Sequence, residues 1–112
     1  MKTFMMIFRF ESNFAHQPTK QEIEMQQQSW GTWIGNLANS GKMVETNRFD
    51  FKGKIVDANK NVSENYYAPE NKMVSGYMIV KVATENEVVE MAKECPIALL
   101  SGFVEIREIV AM

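Results

Sequence analysis

Apolar side chains fall on alternate positions in residues 3–10. Phe4, Met6, Phe8 and Phe10 share one face; Met5, Ile7 and Arg9 take the other. Period-two alternation predicts a strand, and the apolar character of both faces predicts cover on both sides. Residues 11–18 form a polar connection. Thr19-Lys20-Gln21-Glu22 then fits a Thr-x-x-Glu capping box, in which the hydroxyl accepts from a free first-turn N–H and the glutamate reaches back to the cap. Ile23, Trp30, Ile34 and Leu37 follow at helical spacing, with Trp33 beside them. Gly41 supplies the left-handed residue that ends a helix without strain.

Residues 42–51 alternate weakly around Met43, Val44, Phe49 and Phe51 and read as a strand, and Lys52-Gly53 turns into Lys54-Ile55-Val56. Residues 57–71 are polar and read as a long loop with at most one irregular strand; loops of that length often carry function. In residues 74–82 the alternation is regular, with Met78, Val80 and Val82 facing one way and Tyr77, Ile79 and Lys81 the other. Thr84-Glu85-Asn86-Glu87 is a second capping box. Val88, Met91, Ala92 and Cys95 form the apolar stripe that follows it, and Pro96 stops that helix. Gly102 opens a last strand, with Val104, Ile106 and Val110 on one face and Phe103, Glu105, Arg107 and Ile109 on the other.

The order β-α-β-β-(loop)-β-α-β predicts one α+β domain over residues 1–112, ferredoxin-like, with both helices on one face of one sheet. The opposite face then carries Met5, Ile7 and Arg9, Tyr77, Ile79 and Lys81, and Phe103, Glu105 and Arg107. Such a face is too apolar for free solvent and too charged for a dry core. The simplest solution is a homodimer with two sheets face to face, a dimeric α+β barrel, its charges at the rim or lining a cavity. The plainer alternative for Arg9, Lys81, Glu105 and Arg107 is a set of salt bridges at strand ends. Arginine also suits an anionic ligand group by bidentate bonding.

Composition narrows the chemistry. Twelve Lys+Arg against fourteen Asp+Glu give a net charge of −2, which argues against nucleic-acid binding through phosphate neutralisation. The 46% apolar and 23% charged residues fall in the ordinary globular range. One cysteine and one histidine exclude an intramolecular disulfide framework and Cys-rich metal centres, so no metal is expected. Phosphate-cradling glycine loops are absent from the sequence, so no cofactor is expected. The apolar N-terminal run is broken at Arg9 and Glu11, and no run approaches the roughly 20 residues that span a bilayer. A reduced cytoplasmic compartment is the default expectation, with no membrane partner.

Few residues offer reactivity. His16, with a free pKa near 6.5, would suit a general base, and Asp50 or Asp57 could partner it; a solvated loop histidine is the alternative. Cys95 precedes Pro96 at a helix C-terminus, where the helix dipole raises a thiol pKa, so it reads as a core residue. Trp30 and Trp33 read as core and flank, with a stacking surface as the lesser possibility. Tyr66, Tyr67 and Tyr77 are candidates for a ligand wall. The nine methionines are scattered and serve adaptable packing.

Several stretches together resemble the YCII-related family, in its branch named for an Asp-Gly-Pro-Phe motif. They are residues 1–9, Trp33-Ile34-Gly35-Asn36-Leu37 with Gly41-Lys42, residues 74–80, Ala92-Lys93-Glu94-Cys95-Pro96 and Val104-Glu105-Ile106-Arg107. The resemblance covers the whole chain and implies a dimeric ferredoxin-like α+β barrel. The motif itself falls on Glu64-Asn65-Tyr66-Tyr67, which keeps an acid and an aromatic at its ends and lacks the Gly-Pro turn. The family's association with sigma factors implies a possible regulatory interaction module.

Three functional expectations result. The first is a cytoplasmic homodimer that binds a small anionic or aromatic molecule between its sheet and the 57–71 loop. Arg9, Tyr66, Tyr67, Tyr77, Glu105 and Arg107 would line that site. The second is an acid–base enzyme with His16 or Glu64 as base and Arg9 or Arg107 stabilising negative charge. The third is the interaction module.

Overall fold

The computed structural model describes residues 1–11, 19–50, 52–64, 72–97 and 102–112. The first alternating stretch forms β1 (Lys2–Glu11), and the capped amphipathic stretch forms α1 (Lys20–Asn39). There follow β2 (Met43–Arg48), β3 (Ile55–Val56), β4 (Val62–Ser63), β5 (Lys72–Val82), α2 (Glu85–Lys93) and β6 (Phe103–Glu108). Four strands make one sheet in the order β2-β5-β1-β6, and the three neighbouring pairs are all antiparallel. β2 thus returns from α1 to lie one strand away from β1, with β5 between them, and β6 does the same after α2 with β1 between. This is the ferredoxin-like split-βαβ arrangement.

The helix-covered face is the core. Phe4, Met6 and Phe8 of β1 and Met78, Val80 and Val82 of β5 are buried there with Val88, Trp33, Cys95 and Ile97. The Phe8, Trp30 and Trp33 rings meet edge to face at 5.2–5.7 Å, a geometry that matches ring edges to ring faces. The Trp33 indole N–H donates to the Met91 carbonyl at 3.2 Å. It thereby ties α1 to a last-turn carbonyl of α2 that also accepts from the Glu94 N–H at 3.2 Å.

The Thr19 hydroxyl accepts from the Glu22 N–H at 3.1 Å, and Gly41 adopts a left-handed φ of 77° just past the helix end. Gly76 has a different reason to be glycine: a Cβ there would come within 2.5 Å of the Asn47 carbonyl oxygen. Its absence lets β2 lie against β5.

Three expectations change. Thr84 is the N-cap residue of α2, but its side chain makes no cap hydrogen bond, so that box is present in sequence and unformed in structure. Ile23, one turn into α1, is 40% exposed, because the helix buries its stripe around Trp33. Strand β6 stops at Glu108, which leaves Val110 in solvent. The one irregular strand allowed in the 57–71 loop is β4, and its pairing with β3 as a separate two-stranded hairpin, Ile55 opposite Ser63 and Val56 opposite Val62, is the new element. Cys95 is buried as expected, but burial itself is the main cause that pushes its thiol up to about 11, with the Ile97 backbone hydrogen bond opposing.

Candidate functional site: the uncovered face of the sheet

Because side chains alternate along a strand, the residues between the core positions line the sheet's other face. The strand register builds that face row by row. One row runs Asn47, Tyr77, Ile7, Glu105 from β2 to β6; the next runs Glu45, Ile79, Met5, Arg107. Met5, Ile7, Tyr77 and Ile79 are half-buried, and no described helix lies over them. They form an apolar floor two strands wide.

Each side of the floor ends in a polar cluster. On the β6 side, Arg9 Nε donates to Glu105 Oε1 at 3.0 Å, and Arg107 Nε donates to Glu105 Oε2 at 2.7 Å. One carboxylate thus holds two guanidiniums, and the trio keeps one net positive charge. These hydrogen bonds, Arg107's first and Arg9's second, hold the Glu105 carboxyl below its ordinary range. On the β2 side, the Tyr77 phenol donates to Glu45 Oε2 at 3.0 Å and accepts from Asn47 Nδ2 at 2.9 Å. The Phe49 ring leans on the Tyr77 ring at 5.7 Å. Tyr77 and Glu105 share a row with Ile7 between them, which separates their backbones by two strand spacings, about 10 Å.

Of the site residues expected from sequence, Arg9, Tyr77, Glu105 and Arg107 come together on this face. Glu64 lies at the foot of the β3–β4 hairpin, exposed, and makes no ion pair with Arg9 or Arg107. Asp50 and Asp57 are exposed as well, and Asp57 is engaged in the hairpin turn. His16, Tyr66 and Tyr67 lie outside the described residues. Trp30 and Trp33 belong to the core, as read. Lys81 is exposed beyond the end of the floor.

Sequence reasoning missed Glu45, Asn47 and Phe49. A β-bulge is the cause: Met43 pairs with Val80 on the core face, whereas Glu45 pairs with Ile79 on the open face, with Val44 extra between them. One inserted residue reverses the faces of everything after it. The Thr46 hydroxyl donating to the Tyr77 carbonyl at 2.8 Å fixes the new register.

A second, shallow hollow lies on the helix layer, lined by Gln28, Ser29, Thr32, Trp33, Asn36, Glu94 and Pro96. It is wide open and gathers no cluster of ionisable groups. Among the described residues no group of three or more His, Cys, Asp or Glu side chains is placed to hold a metal ion, and no helix is long and apolar enough to cross a membrane.

No family model and no curated protein matches the chain. Among solved structures, the chain is similar to the 5-chloro-2-hydroxyhydroquinone dehydrochlorinase from Burkholderia phenoliruptrix AC1100, determined in complex with 2,5-dihydroxybenzoquinone. The identity is 11%, over 96% of this chain and 93% of that one, with a TM-score of 0.47.

Proposed function

We propose that this protein is a homodimer of the YCII-related kind that binds a small molecule over the uncovered sheet face, with the second copy as the opposite wall. The observation that carries the proposal is the single row Tyr77–Ile7–Glu105 and its neighbours: an apolar floor, a net positive cluster at one end, a phenol with a carboxylate at the other. An anionic group on the ligand is matched by Arg9 and Arg107. A hydroxyl or amine at its far end is matched by Glu45, and an apolar or aromatic body by Ile7, Met5 and Ile79. A cytoplasmic site for such a protein goes with its lone buried thiol.

The class of ligand is testable with 4-hydroxybenzoate, which carries a carboxylate and a hydroxyl at opposite ends of a ring. Calorimetric titration should show binding that weakens at least tenfold in Arg107→Ala, and benzoate, which lacks the hydroxyl, should bind less well than the hydroxylated acid. Glu45→Gln should reduce that preference. Absence of binding at millimolar concentration, with nothing retained in native mass spectrometry of the purified protein, would contradict the proposal. Binding indifferent to both substitutions would place the ligand elsewhere.

A further inference from the structure

The β3–β4 hairpin is ordered within itself, and none of its described residues is buried. Asp57 organises its turn: Oδ1 accepts from the N–H groups of Asn59 and Asn61, both at 2.9 Å, and the Asp57 N–H donates to the Asn61 carbonyl at 3.0 Å. Lys60 takes a left-handed φ of 68° to close the turn. Yet every residue from 52 to 64 is exposed, including Ile55, Val56 and Val62. An isolated two-stranded hairpin is marginal in water, so a preformed arm with bare β-branched residues fits one that is completed by another surface.

The arm's position points to which surface. It leaves β2 through Phe49, whose ring rests on Tyr77 of the uncovered face, so the apolar floor leads towards the arm. The molecule is only 19 Å thick against 44 and 40 Å in its other dimensions. The arm therefore extends beside the sheet, rather than folding over either face. Val56 and Val62 pair across the hairpin and share one side of it. The same alternation puts Lys54 and Glu64 at the base of that side, a positive and a negative group flanking two valines. A patch that carries both signs around an apolar centre can satisfy its own copy across a two-fold axis.

Area supports the same occupant. The edge strands β2 and β6 are six residues each, so four strands offer roughly 400 Å² of flat sheet per copy, about half of the ~800 Å² each partner contributes to a standard interface. One side of a hairpin adds roughly 150 Å², and in a symmetric pair each copy both gives an arm and receives one, which brings the total near 700 Å². We infer that the hairpin is an arm that lays Val56 and Val62 on a second copy of this chain and closes the end of the inter-sheet cavity. The inference rests on the face-to-face dimer proposed above.

The test measures the dimer dissociation constant by sedimentation equilibrium for three proteins: wild type, Val56→Asp/Val62→Asp in the arm, and Ile79→Asp on the face. Both valines are exposed, so the arm variant leaves the core untouched, and its circular dichroism should match wild type. The arm variant should dissociate at least tenfold more readily, and amide exchange across residues 56–62 should be slower in the concentrated wild-type dimer than after dilution into monomer. An arm variant with an unchanged constant and exchange that ignores dilution overturns the arm and leaves the face dimer standing. If Ile79→Asp stays dimeric while the arm variant dissociates, the face reading fails and the arm holds the dimer alone. A wild-type protein that is monomeric throughout overturns both.

Discussion

Met6 and Ile7 are adjacent on β1, as Met78 and Ile79 are on β5, and each pair is divided between two environments. Met6 and Met78 are fully buried under the helices, whereas Ile7 and Ile79 are half-buried on a face that no described helix covers. The sequence is apolar on both faces, so composition does not separate them. What differs is the company each face keeps. The covered face is bounded by more hydrocarbon and by three aromatic rings, and the described core buries no polar or charged residue. The uncovered face is bounded by a carboxylate with two guanidiniums on one side and a carboxylate–phenol–amide cluster on the other. Core positions are thus filled for packing alone. The uncovered positions combine apolar area with charges held in fixed directions, which is how binding sites are composed.

The comparison can be broken first at its energetics. Met78→Ala should cost about 3 kcal/mol, since it removes a fully buried side chain and leaves a cavity. Ile79→Ala, one position along the same strand, should cost the folded monomer well under half as much, because part of its side chain is already wet. Urea unfolding below the dimer dissociation constant measures both, and equal losses would show that the two faces are equally closed.

A smaller contrast concerns the two capping threonines. Thr19→Ala should lower stability by about 1 kcal/mol through the lost hydrogen bond to Glu22. Thr84→Ala should change stability by only a few tenths of a kcal/mol, because its hydroxyl makes no cap bond. Comparable losses at both sites would restore the second capping box.

The smallest effect is the acid response of the uncovered face. The folded-state pKa of Glu105 is lowered from its ordinary 4.5, so the unfolded chain takes up the proton first as pH falls. The contribution of Glu105 to stability is therefore complete above about pH 4.5 and is lost as pH drops through the lower folded value. With Glu105 partly exposed, that contribution is modest. Glu105→Gln should flatten the stability–pH curve in this window, with a small loss relative to wild type near neutrality that vanishes in strong acid.

Much of this organisation is legible in the residues. Alternation in residues 2–11 and 74–82 fixes which side chains face the helices, and Thr19 with Gly41 brackets α1. The bulge at Val44 is not legible, because nothing about Met43-Val44-Glu45 announces an inserted residue, and so Glu45 and Asn47 are assigned to Tyr77 only in three dimensions. The hairpin escapes for another reason. Two residues per strand are too few to show a period, and its shape comes from the Asp57 turn rather than from a buried face. Thr84 shows the reverse failure: a motif present in sequence whose bond the structure does not form.

Sedimentation equilibrium of the wild-type chain beside Ile79→Asp tests the sealing of the uncovered face most directly. The wild type should give twice the 12.9 kDa of one chain, and the variant should give a single folded chain. A wild-type mass of one chain at all concentrations, or a variant that pairs as tightly as wild type, would contradict it.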